Sequence, residues 1–180
     1  MASNWNKYVY TPTILLRNLL ISFGQLMELA GLAVATAVTR QYPKASKILV
    51  ACGPGQNGGD GLVAARWLST FGLEGLEVVV FYPKPGRNPL YSNLLLQLGA
   101  LGISVKTSEF EESLRRCEVL VDGIFGFSFK GEVREPFVGV LKAMKECKGV
   151  SIASIDIPSG WDVERGNVDA RCFEPKLLIS

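Results

Sequence analysis

Residues 47–68 read KILVACGPGQNGGDGLVAARWL and combine three local patterns. The apolar run Lys47–Cys52 is typical of a buried strand. The next segment, Gly53–Gly61, holds five glycines in nine residues and predicts a loop. Leu62–Leu68 then opens a helix. A strand, a glycine-rich loop and a helix in this order indicate the beginning of a βαβ unit.

The rest of the chain continues this alternation of strand-like and helical patterns. Further strands are predicted at Glu77–Tyr82, Ile103–Lys106, Glu118–Asp122, Ser151–Asp156 and Lys176–Ser180. Helices are predicted at Phe23–Tyr42, from Leu62 to about Phe71, and at Leu90–Leu98, Phe110–Arg116 and Pro136–Glu146. The alternation predicts one α/β domain whose mainly parallel sheet is built from right-handed βαβ units.

Composition excludes several classes of function. The 180 residues carry 19 Lys and Arg against 17 Asp and Glu, a balance that argues against a dedicated nucleic-acid binder. The chain has no histidine, which excludes Ser-His-Asp and Cys-His catalysis and zinc sites with His ligands. Its four cysteines are widely spaced and are expected to be reduced thiols of an intracellular protein. No apolar stretch approaches the ~20 residues needed to span a membrane.

Three predicted strands end in polar or glycine-rich turns, and ligands of open α/β sheets bind beyond such ends. Gly53, Gly55 and Gly58 match the G-x-G-x-x-G pattern, in which backbone amides approach a phosphate. The alternative is that Gly58–Asp60 form a tight turn and a helix cap. A nicotinamide dehydrogenase would place an acid at the end of the next strand, where this chain has Phe81–Lys84.

The other two strand ends supply carboxylates. The segment Asp122–Glu132 joins an acid to three phenylalanines and Lys130, either as the apolar floor of a site with one cation or as a core-plugging turn. Asp156 precedes a Pro-Ser-Gly turn and either faces a ligand or caps that turn. Asn57, Asp122 and Ser159 would together give one carboxylate and two neutral oxygens, a set suited to a hard cation of low charge.

Four longer segments resemble one family, the NAD(P)H-hydrate epimerases of the YjeF N-terminal-domain family. The chain is most similar to their eukaryotic branch, which includes an apolipoprotein A-I binding protein. The matching segments are Gln25–Gly31, Gly53–Arg66, Val121–Phe137 and Ser154–Glu164. The resemblance runs from about residue 23 to residue 180. We therefore expect a divergent segment at residues 1–22 and an epimerase domain at residues 23–180 that is incomplete at its carboxyl end.

The resemblance implies a Rossmann-like, three-layer αβα sandwich. It also implies epimerisation of the R and S forms of hydrated NADH and NADPH, NADHX and NADPHX, in nicotinamide nucleotide repair. The expected partners are a second copy of the chain and a companion dehydratase that repairs the S form, with no nucleic acid or membrane. The expected location is the cytoplasm or the mitochondrion.

The site residues that the resemblance implies lie in the same three loops. A potassium ion is expected at Asn57, Asp122 and Ser159. The substrate is expected to contact the following residues: Gln56, Asn57, Gly58, Gly59, Asp60, Gly126, Phe127, Ser128, Phe129, Lys130, Gly131, Glu132 and Asp156. Gln56 departs from the asparagine usual in the family but keeps an amide donor and acceptor. The implied reaction needs a carboxyl group that donates and takes up a proton, which agrees with the lack of histidine, and our hypothesis is that Asp156 is this acid/base group. The alternatives are a catalytically silent scaffold of the same fold and a nicotinamide dehydrogenase.

The last predicted strand, Lys176–Ser180, is apolar and has no helix after it. A parallel sheet is normally covered on both faces. This strand is therefore expected to be an edge strand or the point at which a longer domain is truncated, and truncation is the favoured interpretation.

Overall fold

The computed structural model describes residues 7–8, 21–168 and 172–180. Within them, all seven strands of one sheet pair in parallel, in the order β1-β7-β6-β5-β2-β3-β4. The strands are β1 (Lys7–Tyr8), β2 (Lys47–Cys52), β3 (Glu77–Phe81), β4 (Ser104–Lys106), β5 (Val119–Gly123), β6 (Ser151–Ile155) and β7 (Leu177–Ile179). The helices are α1 (Phe23–Gln41), α2 (Gln56–Thr70), α3 (Pro89–Ala100), α4 (Phe110–Arg116) and α5 (Phe137–Glu146).

Two helical layers cover the sheet and produce the predicted αβα sandwich. One core cluster joins α1, α2 and α3 to the sheet, and a second cluster joins α4 and α5 to the opposite face. Strand β2 serves both clusters, because Ile48 and Val50 pack into the first and Leu49 and Ala51 into the second. This alternation explains why the strand reads as a continuous apolar run. No helix of the described residues is long and apolar enough to cross a membrane.

The glycine loop is shorter than the sequence predicts. Helix α2 already begins at Gln56, with Gly55 as its N-cap, so the loop contains only Gly53–Gly55. Asp60 consequently lies inside the helix, and its interpretation as a helix cap is wrong. The three glycines after Gln56 have low helix propensity, but tight packing of this turn overrides that preference. Helix α3 likewise continues past Gly99 to Ala100.

The two ends of the described chain meet at one side of the sheet. Strand β7 pairs with β6 on one side and with β1 on the other, so the interpretation of β7 as an edge strand is wrong. The edge is the two-residue strand β1, which no hydrophobic pattern marks. Apart from Lys7–Tyr8 and the last two residues, the divergent segment at 1–22 lies outside the described residues. At the end of this segment, Ser22 is the N-cap of α1 and forms a reciprocal capping box with Gln25.

Candidate active site

The ends of β2, β5 and β6 are adjacent because these strands are neighbours in the sheet. The loop after β5 contacts both of the others at Gly126. A Cβ atom placed on Gly126 would lie 2.7 Å from Asp156 Oδ2 and 3.3 Å from Asn57 Cβ. The three loops therefore converge as predicted, and the absence of a side chain at Gly126 leaves room for the Asp156 carboxylate and for the Asn57 side chain.

Glycine also allows the backbone of the first loop to fold tightly. A Cβ atom on Gly58 would overlap the Gly53 carbonyl oxygen and lie 2.7 Å from its carbonyl carbon. A Cβ atom on Gly53 would overlap the Ile124 carbonyl oxygen and lie 2.7 Å from the Ile124 carbonyl carbon. In both places the added Cβ atom would overlap main-chain atoms, which cannot rotate away as a side chain can. The first loop and the loop after β5 are thus held together backbone to backbone.

The Asp122 carboxylate is fully buried and fully hydrogen bonded. Its Oδ1 accepts from Ser159 Oγ at 2.6 Å and from the Ile124 amide at 3.3 Å. Its Oδ2 accepts from Ser154 Oγ and from the Ser159 amide, both at 2.9 Å. Burial raises the pKa of Asp122, and the groups that offset this effect are neutral hydroxyls and amides. A carboxylate in this setting favours a nearby cation.

Asn57 is 7% exposed and only half satisfied. Its Nδ2 donates to the Ile155 carbonyl at 3.3 Å, which joins α2 to the end of β6. Its Oδ1 is buried and has no hydrogen-bond partner among the described residues. An unpaired buried amide oxygen costs about 1–3 kcal/mol unless a ligand or ion satisfies it. The Asn57 oxygen and the neutral surroundings of the Asp122 carboxylate therefore fit a hard monovalent cation.

Asp156 lies in the left-handed region of backbone conformation, with a φ of 67°. Non-glycine residues in this region carry strain, and asparagine and aspartate tolerate it best. The residue is exposed, and its Oδ2 accepts from the Phe127 amide at 2.6 Å. The backbone thus aims a solvent-reachable carboxyl across the loop that follows β5. Strain at a reactive carboxyl is typical of functional sites.

The second loop divides its aromatic residues between core and surface. Phe125 is buried and stacks on Phe129 with ring centroids 4.0 Å apart, which agrees with a core plug. Phe127 is 63% exposed beside Asp156, which agrees with an apolar floor. Lys130 and Glu132 are exposed, and within the described residues neither forms an ion pair. The burial of Phe125 confirms the core-plugging turn for that residue, whereas the apolar floor of a site at Phe127 stays a prediction.

Two groups of the site were not predicted from sequence. Ser154 donates to Asp122 from the neighbouring strand, where the register places the two residues side by side. The Phe125 amide donates to Ser159 Oγ at 2.9 Å. Both residues lie in segments that carry the family resemblance, but neither residue type indicates these contacts. Only the pairing of β5 with β6 reveals the first, and only the folded loop reveals the second.

Asp60 is a second carboxyl near Asp156. Burial, and secondly the Asp156 charge, raise the pKa of Asp60 from 3.8 to about 8. The folded protein therefore retains a proton that the unfolded chain loses between these pH values. The free energy of unfolding should consequently fall as pH rises from about 4 to about 8.

In Asp60→Asn, we expect the free energy of unfolding to fall less steeply with pH, by up to about 1 kcal/mol per pH unit. Urea unfolding of both proteins at pH 5, 6, 7 and 8 measures the difference. Parallel stability curves for the wild type and the variant would contradict the raised pKa.

Comparison with known proteins identifies the family. The family described as YjeF-related protein N-terminus matches residues 24–180, which include all three loops. The chain belongs to this family. The family resemblance and the fold predicted from sequence are thereby confirmed.

Relatives of the family are similar over most of this chain. A Mycosarcoma maydis protein named NAD(P)H-hydrate epimerase is 50% identical over 88% of the chain and 62% of its own length. A Schizosaccharomyces pombe protein of the same name is 47% identical, over 88% of the chain and 68% of its own length. The chain thus spans roughly two thirds of these YjeF-related relatives.

A solved structure supports the same architecture. The crystal structure of yeast ynu0, YNL200c, superposes with a TM-score of 0.83 at 40% identity. The match covers 91% of this chain and 72% of the yeast chain. At this identity, the YjeF-related fold and the arrangement of strand ends that frames the three loops are shared.

Proposed function

We propose that the chain epimerises the R and S forms of hydrated NADH and NADPH, the activity named for its relatives. The observation that carries the proposal is the meeting of three strand ends at Gly126. There the strained Asp156 carboxyl, the half-satisfied Asn57 amide and the exposed Phe127 ring share one edge of the sheet. Acid, polar and apolar groups thus converge where α/β folds bind nucleotides.

The reaction requires one acid/base group. The hydrated ring carbon carries a ring nitrogen and a hydroxyl group. The Asp156 carboxyl donates its proton to the hydroxyl, the C–O bond breaks, water leaves, and the nitrogen lone pair forms a C=N bond. Water then adds to the opposite face and forms the new C–O bond, and its extra proton returns to the Asp156 carboxylate. The chain needs no histidine for these steps.

The remaining groups bind and orient the substrate. The amino end of α2, with Gly55 as N-cap and no acid in the first turn, suits the diphosphate of a dinucleotide. The exposed Phe127 ring offers a flat apolar face to the nicotinamide ring. The backbone amide of Phe127 donates to Asp156 Oδ2 and so holds the carboxyl in place.

We also propose a potassium site at Asn57, Asp122 and Ser159. The unpaired Asn57 oxygen and the neutral surroundings of Asp122 support it. Asp122 and Ser159 are in direct contact, whereas Asn57 reaches this edge from α2. When bound, the ion would supply positive charge beside the buried carboxylate.

Potassium is expected to raise the melting temperature (Tm) of the protein more than tetramethylammonium does at equal chloride concentration. At ten times the dissociation constant, a bound ion stabilises by about 1.4 kcal/mol, which corresponds to about 4 °C. Asn57→Ala should lose this difference. The matched control Asn93→Ala, at an exposed position of α3, should keep it. Equal Tm values in both salts would contradict the site.

The proposed partners are a second copy of the chain and a dehydratase that consumes the S form. The proposal of a second copy rests on the family resemblance. Sedimentation equilibrium tests the homodimer, and a coupled assay with an S-specific dehydratase tests the second partnership.

The proposed activity is tested by incubating the purified chain with (R)-NADHX and potassium and following the S form by chromatography. Conversion faster than in the protein-free control is expected. A cooperatively folded chain that converts nothing would overturn the proposal and favour the scaffold alternative.

A further inference from the structure

The loop that follows β3 is attached to the glycine loop. A Cβ atom on Gly86 would overlap the Pro54 carbonyl oxygen and lie 2.6 Å from Tyr91 Cε2. The Gly86 amide donates to Tyr82 Oη at 2.7 Å, and the Tyr82 side chain is almost completely buried. The contact of Gly86 with the Pro54 main chain and the hydrogen bond to the buried Tyr82 thus hold residues 83–88 against the glycine loop, Gly53–Gly55.

This loop is positively charged at the position where many dinucleotide enzymes carry an acid. Lys84 and Arg87 are exposed, and neither forms an ion pair within the described residues. The sequence between Glu77 and Glu109 contains no Asp or Glu. In dinucleotide-binding folds an acid at this position accepts a hydrogen bond from the ribose 2′-hydroxyl of NAD, whereas a nearby arginine accommodates the 2′-phosphate of NADP. The charge at this loop therefore favours the phosphorylated dinucleotide.

The strand order gives a dinucleotide room to reach this loop. Asp156 follows β6 and Lys84 follows β3, and β5 and β2 lie between those strands. Three strand spacings separate β6 from β3, about 14 Å. With the nicotinamide ring at Asp156 and the diphosphate over the glycine loop, the adenosine ribose would lie at the end of β3.

We propose that Lys84 and Arg87 bind the 2′-phosphate of NADPHX and make it the preferred substrate over NADHX. The preference for NADPHX as a substrate rests on the proposed function. The binding of the 2′-phosphate does not, because it concerns only the adenosine end of the ligand. A guanidinium and an ammonium group are the usual protein ligands of a phosphate.

Binding is tested first, by titration calorimetry with adenosine 2′,5′-bisphosphate and with adenosine 5′-monophosphate. The wild type should bind the bisphosphate at least about tenfold more tightly, the effect of a charged contact to phosphate. The double variant Lys84→Ala/Arg87→Ala should lose this preference. The control Lys44→Ala/Lys148→Ala removes the same charge from exposed positions before β2 and β6, at the opposite edge of the sheet, and should keep it.

Kinetics then test the substrate preference. In the double variant, KM for NADPHX should rise about tenfold or more, while KM for NADHX stays within about twofold. A wild type that does not prefer the bisphosphate, or a double variant that loses both substrates equally, would overturn the inference. Preferential binding without turnover of either hydrate would leave the phosphate site supported and count against the proposed function alone.

Discussion

Replacing Asp156 with asparagine is expected to lower kcat for epimerisation by about two orders of magnitude or more, the usual contribution of general acid/base catalysis. Asparagine cannot exchange a proton with the leaving hydroxyl. It can keep the hydrogen bond from the Phe127 amide and tolerates the left-handed backbone of this position. The loss should therefore appear in turnover, with little change in Tm.

Asp162→Asn is the matched control. Asp162 lies after the same strand and accepts from the Glu164 and Arg165 amides in its own turn. Its replacement should leave turnover within about twofold, since the described hydrogen bonds of its carboxylate stay within its own turn. Near-normal turnover in Asp156→Asn, or an equal loss in both variants, would show that the Asp156 carboxyl is not the acid/base group.

Gly58→Ala is expected to reduce the free energy of unfolding by about 3 kcal/mol or more, within the range of severe overpacking. The added methyl group would overlap the Gly53 carbonyl oxygen, and main chain cannot relieve the overlap by rotating. Separation of the two segments would also displace Asn57 on the same turn of α2. Urea unfolding at equilibrium measures the loss, and activity should fall with it.

Gly55→Ala is the control for this prediction. A Cβ atom on Gly55 meets no atom within 4 Å, and its backbone is extended. The change should cost about 1 kcal/mol or less, the effect of alanine at an N-cap. A loss in Gly58→Ala no larger than the loss in Gly55→Ala would contradict the close approach of the two backbones, because helix propensity by itself favours alanine over glycine inside a helix.

Hydrophobic patterns predicted most of the fold because both sheet faces are buried. Strand β2 and helix α4 have the predicted bounds, and the other elements predicted within the described residues differ mainly at their ends. The exceptions have local causes. Lys7–Tyr8 has no pattern, because a two-residue strand is too short for one. The start of α2 at Gln56 depends on contacts with Ile124 and Tyr91, which lie far away in the sequence.

The candidate site was predictable to the level of its loops. Parallel topology alone brings the ends of β2, β5 and β6 together, so Asn57, Asp122 and Asp156 were expected at one edge. Individual contacts were not predictable, since Ser154 reaches Asp122 only through strand register. The pKa of Asp60 is raised because the residue is buried inside α2, in a segment for which the sequence predicted a loop. Spacing indicates which loops meet, and packing determines what each side chain contacts.

The central claim is epimerisation through loss and return of water, and the most direct measurement follows each epimer of NADPHX in ¹⁸O-labelled water. Separate incubations of the R and S forms with the chain and potassium are analysed by chromatography and mass spectrometry. We expect both to reach the same final ratio, faster than without protein, with one solvent oxygen in each converted molecule. A folded chain that accelerates neither direction, or that converts the epimers without taking up solvent oxygen, would contradict the account.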